Sequence, residues 1–163
     1  MATEVLSIDA LLNSEVEPTR QFRWVIAIEG IDAYTALSTE LPSGEFGEIP
    51  VPFINTVRYL SGKWAPNTFP LKLWNPIAPS AAQKVMDWIR TNYEQQTGRM
   101  GYSDFYKKDI TIKLLDGPGG VASSWTLKGA WVKAPKFGTL DYTAEGLIEI
   151  DLTIRFDTFI LNH

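Results

Sequence analysis

The densest pattern of ionisable groups in this chain lies between Leu147 and Thr158, where Glu149, Asp151, Thr153, Arg155 and Asp157 alternate with Ile148, Ile150, Leu152, Ile154 and Phe156. Carboxylates two residues apart on a strand stand about 6.6–6.8 Å from each other, a separation at which two acids can divide acid–base work at one bond. The rest of a catalytic constellation is missing. The sole histidine is His163, expected to be mobile, and there is no cysteine, so a Ser-His-Asp triad lacks its base and histidine-rich or thiolate metal centres are excluded. Glu45 with Glu48, and Asp104 with Asp109, do not follow the rhythm of a calcium loop. The glycines of Asp116-Gly117-Pro118-Gly119-Gly120 precede no helix that could meet a phosphate, and they read as a tight turn. No catalytic residue, metal ligand or cofactor is assigned, and the chain is not expected to be an enzyme. What this row of charges can do is set an electrostatic field.

The alternation that creates the row also names the element that holds it. A strict period of two is the signature of a β-strand with one oily and one wet face. Here the wet face is mostly carboxylate, as expected of a sheet that walls off an aqueous space. Other strands are expected at 21–29, with Phe22, Trp24, Ile26 and Ile28 on one face, at about 33–41, and around Phe69, Leu71 and Leu73, where Pro70 points to a sheet edge. Further strands carry Ile110, Ile112 and Leu114, and then Trp125, Leu127, Gly129 and Trp131 on one face. Between them Ser80-x-x-Gln83 has the form of a capping box, and Ala82, Val85, Met86, Ile89 and Tyr93 make one helical stripe ending near Gln95. The sum is a mainly β fold with one helix (α+β), a small barrel or sandwich with the helix over one opening or edge.

Two segments stand apart. Residues 42–55 carry Pro42, Pro50 and Pro52, which bar a regular central strand, together with Phe46, Ile49, Val51, Phe53 and Ile54. So many apolar side chains on a projecting loop are expected to pack against another subunit. Residues 1–19 form an arm whose Val5, Ile8 and Leu11 are expected to order on docking.

Bulk properties narrow the class. The 163 residues fit one domain, and the 45% hydrophobic content with six Trp and eight Phe is that of a globular chain. A net charge of −4 argues against a protein built to grip nucleic acid. No apolar run of about 18 residues spans a membrane, and the acidic N-terminus does not read as a signal peptide, so a cytoplasmic product is expected. The many aromatic residues fill space, which disfavours the alternative of a small-ligand-binding β-barrel.

The stretch Ala36–Asn55, with Leu-Pro-Ser-Gly followed by Ile-Pro-Val-Pro-Phe-Ile-Asn, resembles the tail tube proteins of contractile-tailed bacteriophages. Asp87-Trp88 at the helix, Tyr106-Lys107-Lys108 leading into a strand, Lys128-Gly129-Ala130-Trp131 in the next and the alternating C-terminal strand extend the resemblance over nearly the whole chain. It implies rings of six copies stacked into a hollow tube inside a sheath. The tube protein of type VI secretion and a baseplate tube initiator share that fold, and extracellular injection devices use the same kind of tube. Four inner strands per subunit imply a lumen barrel of roughly 24 strands with a backbone diameter of about 45–52 Å. About 35–42 Å remains between the side chains, room for duplex DNA to pass without sequence-specific binding. On this resemblance Glu149, Asp151, Thr153, Arg155 and Asp157 line the lumen, where an acidic wall repels phosphates. Val5, Ile8, Leu11, Phe46, Ile49, Val51, Phe53 and Ile54 make subunit or ring–ring contacts. The implied partners are further copies of the chain, the tail sheath, the baseplate or hub and the tape-measure protein, and the implied location is the virion tail, assembled in the host cytoplasm.

Overall fold

A computed structural model describes residues 17–163; Val5, Ile8 and Leu11 of the expected arm lie outside the described residues. In chain order the elements are β1 (Trp24–Ile28), a 3-10 turn (Ala33–Thr35), β2 (Ala36–Thr39), β3 (Gly44–Phe53), β4 (Thr56–Pro66), β5 (Phe69–Trp74), helix α1 (Ala81–Asn92), a helical turn α2 (Ser103–Tyr106), β6 (Lys108–Leu115), β7 (Val121–Lys136), β8 (Glu149–Arg155) and β9 (Thr158–Leu161). The main sheet is antiparallel in the order β1-β6-β7-β8-β5-β2, with β9 also on β7, while among the described residues β3 and β4 pair only with each other. No helix of the described residues is long and apolar enough to cross a membrane.

The expected alternation on β8 is what the core is built around. Ile150, Leu152, Ile154 and Phe156 are buried, and between them Asp151, Thr153 and Arg155 are half-buried on the opposite face. The same period buries Ile26 and Ile28 on β1, Phe69, Leu71 and Leu73 on β5, and Ile110 and Ile112 on β6. These side chains form one cluster with Ala81, Val85 and Trp88 of α1. The Trp88 indole N–H donates to the Tyr106 carbonyl oxygen at 2.7 Å, so the burial of that ring leaves no donor unpaired.

Several sequence expectations need correction. Pro70 does not mark an edge: β5 lies between β8 and β2. The β2 ladder ends at Thr39–Leu71, and the Thr39 hydroxyl donates to the Pro70 carbonyl oxygen at 2.8 Å. Backbone groups of one strand residue point the same way, so the amide that proline lacks would have faced the side where β2 has already ended. Ser80 does cap α1, accepting from the Gln83 amide at 3.4 Å, but Gln83 turns away and donates to Asp87 at 3.1 Å, so only half of a capping box is made. The helix stops at Asn92 rather than near Gln95, and its buried face is Ala81, Val85 and Trp88.

Trp125, Leu127, Gly129 and Trp131 do not share a face. The β6–β7 register slips between Lys108–Ala130 and Ile110–Leu127, and Gly129 sits at φ +70. A residue in that conformation has no partner across the ladder, and the pleat reverses after it. Ala130 is buried in consequence, and Trp131 turns outward beside Tyr106. An added Cβ at Gly129 would fall 2.2 Å from the Asp157 Oδ2, so both φ and space demand glycine. β9 was not anticipated: Arg155 ends β8, the chain bends at Phe156 and Asp157, and Thr158–Leu161 resumes pairing with β7. Backbone bonds from the Ser124 amide to the His163 oxygen and from the Asn162 amide to the Ser124 oxygen tie down the end expected to be mobile.

Lys84 on α1 donates to Asp32 in the turn before β2, an ion pair that ties the helix to that turn, and the Tyr34 hydroxyl donates to the same carboxylate at 3.2 Å. The Lys84 hydrogen bond holds the Asp32 carboxyl below its ordinary value, against a smaller opposing effect of desolvation. A lowered folded-state value means that this stabilisation is present above the unfolded carboxyl's pKa and is lost as pH falls through the folded one. Wild-type protein therefore loses stability as pH drops below about 4, and Asp32→Asn, followed by urea midpoints across pH 2–5, is expected to show a shallower acid limb.

Candidate functional site

Two surfaces carry the residues singled out from sequence: the wet face of β8 and the β3–β4 hairpin. Neither is a cleft with converging acids and bases, and the described residues hold no group of three His, Cys, Asp or Glu side chains able to bind a metal.

The wet face belongs to a four-stranded sector, β2-β5-β8-β7, in which β7 contributes Trp131–Lys136. Register places Ser38, Lys72, Asp151 and Lys136 in one row across the four strands. Opposed residues of antiparallel strands share a face, so a lysine flanks Asp151 on each side. The Lys72 Nζ lies 3.5 Å from Glu149 Oε2 and 3.9 Å from Asp151 Oδ1. Thr153 stands between Pro70 and Ala134, and Arg155 stands opposite Trp131. The structure thus brings Glu149, Asp151, Thr153 and Arg155 together, but joins them to Lys72 and Lys136, so the face is mixed in sign rather than mostly carboxylate. Asp157 leaves the row: it lies past the end of β8 and pairs with Lys107 at 2.9 Å, a hydrogen bond that raises the lysine above its ordinary pKa. Half-exposed pairs such as Lys72 with Glu149 contribute only about 0–1 kcal/mol each, so their main effect is on the field above the sheet. No reading along one strand could find these lysines, because they enter through cross-strand register.

The outer edges of this sector carry no strand among the described residues. β2 pairs only with β5, and β7 beyond Ala130 pairs only with β8. Open edges of this kind are templates for another chain.

The segment expected as a projecting loop at 42–55 is one arm of a longer hairpin. β3 and β4 pair from Gly44–Pro66 to Phe53–Thr56, with one bulge between Phe46 and Glu48. The prolines that argued against a strand are accommodated because the ladder runs on both sides of Pro50 and Pro52, which requires their missing amides to face away from β4. The segment does not fold back on its own core: Phe46, Ile49, Val51, Phe53 and Ile54 are all exposed, with Phe53 at 69% and Ile54 at 87%. Val57 and Tyr59, which the sequence reads as continuing a β-like segment up to Gly62, lie with Leu60 on β4 and extend the apolar surface, a role the sequence reading did not assign them. A patch of this kind is a candidate interaction site.

The base of the hairpin is fixed by rings. Phe46 lies 4.7 Å from Trp64, Trp64 lies 5.9 Å from Phe159, and Phe159 lies 6.0 Å from both Trp125 and Phe156. This path runs from the projection to the buried core. At the other end the two-residue loop Ile54-Asn55 places Ile54 at φ +46. Positive φ at the first loop residue and not at the second is the type II′ arrangement, where glycine is normally found. A β-branched residue there is strained by about 1–2 kcal/mol, and no contact among the described residues offsets it, since the side chain is exposed. Strain of this kind persists only where the surrounding structure holds it, here the paired β3–β4 ladder.

No family model matches this chain. Over 97 residues it is 28% identical to the tail tube protein of Serratia phage KSP90; the match takes in 59% of this chain and spans about half, 55%, of that relative's length. Among solved structures it is similar to a chain of the anti-feeding prophage tube terminating cap, at 18% identity and a TM-score of 0.71 over 90% of this chain and 92% of that one. A chain of the PVC extracellular contractile injection system, in its extended sheath–tube complex, matches at 16% identity and a TM-score of 0.64 over 96% and 98% of the two chains. Hcp1 from Flavobacterium johnsoniae matches at 13% identity and 0.53 over 86% and 95%. The fold is therefore that of the tube proteins of contractile tails and injection systems, mainly β with a flanking helix.

Replacing Ile54 by glycine separates stability from contact. Ile54→Gly relieves the strain of about 1–2 kcal/mol and gives back about 0.5–1 kcal/mol in chain entropy. The protomer's thermal midpoint is expected to stay level or rise by about 2–4 °C, while assembly followed by light scattering becomes weaker.

Proposed function

We propose that this chain is a structural subunit of the inner tube of a contractile injection machine, whose copies close into rings of six that stack into a hollow conduit. The observation that carries this reading is the four-stranded sector β2-β5-β8-β7, with a polar face, a buried face and two open edges. Joining the β2 edge of one copy to the β7 edge of the next satisfies both and continues the sheet into a barrel. Its match to the tube fold over most of its length supports the same reading, as does its similarity to a phage tail tube protein.

In that barrel Glu149, Asp151, Thr153 and Arg155 face the bore with Lys72 and Lys136 beside them. Each lysine free to neutralise a phosphate would add salt-dependent affinity for a passing duplex. Lysines already placed beside carboxylates suit a wall that lets phage DNA slide rather than one that holds it. The hairpin, with Phe53 and Ile54 at its tip, packs on the neighbouring subunit or ring. A sheath binds outside, a baseplate seeds growth, a tape-measure protein sets length, and the assembled tube belongs to the virion tail. The tube of a type VI or extracellular injection system, and a tube-initiating baseplate ring, are the alternatives within the same fold.

Negative-stain microscopy of concentrated protein, with and without a seeding complex, is the direct test. Rings or hollow filaments are expected; rings that never stack assign the chain to the end of a tube rather than its shaft, and compact monomers under every condition overturn the proposal. Phe53→Asp is expected to keep the folded protomer and its thermal midpoint but to abolish stacking, so normal filaments from that variant would remove the hairpin from the contact.

A further inference from the structure

The pairing of β2, β5, β8 and β7 fixes which loops lie at which end of that sector. Trp74 pairs with Glu149, Ala36 with Leu73 and Lys136 with Asp151, so one end gathers the 137–148 loop, the 75–80 loop and the start of α1. Phe69 pairs with Ile154 and Trp131 with Arg155 at the other end, where β2 leads into the hairpin and β4 returns to β5. The hairpin and the 137–148 loop therefore leave the sector at opposite ends. Barrel strands tilt by roughly 35–45° from the bore axis, so these ends fall on opposite faces of a ring.

The loop end presents apolar surface. Leu140, Tyr142 and Leu147 are exposed on it, as is Ile77 beside it. A hollow of about 510 Å³ opens between the loop and α1, lined by Ala82, Met86, Phe137, Leu140 and Ile148 among others. Close packing sets its wall. Gly138 stands at φ +105, where an added Cβ would fall 2.8 Å from the Glu149 carbonyl oxygen. Asp141 Oδ1 accepts from the Thr143 amide at 2.9 Å and from its hydroxyl at 2.8 Å.

We infer that the hairpin tip of one copy, Phe53 and Ile54, docks in this hollow on a copy in the next ring. This docking rests on the tube reading and names the surface that receives the hairpin. Charge selects the same pairing. From Ile49 to Leu60 the one charged residue is Arg58, while the charged residues of 137–148 are Asp141 and Glu145. All three are exposed, and among the described residues none is in an ion pair. Opposite signs across a contact set its orientation. Rings stacked hairpin to hairpin would bring Arg58 towards Arg58 and leave the loop end bare. Edge-on strand pairing is disfavoured too, because Pro50 and Pro52 remove two donors from the outer rim of β3. A contact between two unlike surfaces repeats without closing, as a stack of rings requires.

The chain has no cysteine, so engineered pairs report position cleanly. In filaments of full-length Ile54→Cys/Leu140→Cys, mild oxidation is expected to link copies into a ladder of multimers about tenfold faster than in the control Ile54→Cys/Lys113→Cys. Filaments that link no faster than the control overturn the docking and leave the tube reading standing. So does rapid dimerisation of the single variant Ile54→Cys, which would show hairpins meeting each other. A wild-type chain that gives no ring or filament under any condition overturns both. A charge exchange leaves the hollow intact. Arg58→Glu is expected to slow filament growth about tenfold with ring formation and the protomer's thermal midpoint unchanged, and Asp141→Lys/Glu145→Lys in the same chain is expected to restore growth. Growth unaffected by Arg58→Glu, or a defect that the second pair does not relieve, overturns the docking.

Discussion

The register of β8 is the constraint on which this molecule depends. The strand lies inside the sheet between β5 and β7, and its side chains alternate between the buried row Ile150, Leu152, Ile154 and the polar row Glu149, Asp151, Thr153, Arg155. A slip of one residue would carry three charges into the core and three aliphatic side chains into water. The cost of that exchange fixes the pairing with both neighbours, and the pairing places Lys72 and Lys136 beside Asp151. The charge pattern of the polar face is thus a by-product of how the apolar face must be buried.

The same strand reaches the projection through its continuation. Phe156 closes the buried row, and Phe159 on β9 stands between it and Trp64 at the root of the hairpin. A two-stranded hairpin alone in water is marginally stable. Here the ring contacts at its base tie it to the core, so its apolar faces are presented in a set geometry. Pre-organisation lowers the ordering cost of any contact the hairpin makes. The strained backbone at Ile54 belongs to the same economy of form, being a local defect held in place by a well-paired ladder.

What was legible in the sequence was what local periodicity controls. The alternation at 148–157 located β8 and its two faces, Ser80 located the start of the helix, and the apolar residues of 46–54 were recognised as unlikely to serve their own core. What was not legible depends on neighbours in space. Lys72 and Lys136 become partners of Asp151 only through register. Gly129 reverses the pleat of β7, so a period of two counted through it gives the wrong face to Trp131. Pro70 is tolerated inside the sheet because β2 ends at Thr39, opposite Leu71, before its ladder reaches the proline. Pro50 and Pro52 argued against a strand, yet their spacing of two puts both missing amides on one side, so the strand persisted. Gln83 found Asp87 one turn along and so left the cap half made.

The prolines of β3 also have a consequence for the protein in quantity. On the proposed reading, the subunit must be made in many copies and kept dissolved at high abundance until it is used. An exposed hairpin rich in valine, isoleucine and phenylalanine is the kind of segment that recruits its own kind into disordered fibrils. With no hydrogen on nitrogen at positions 50 and 52, the outward rim of β3 is a poor seed for such growth, and the crowded pool is protected from precipitation while its side-chain faces stay available for ordered use.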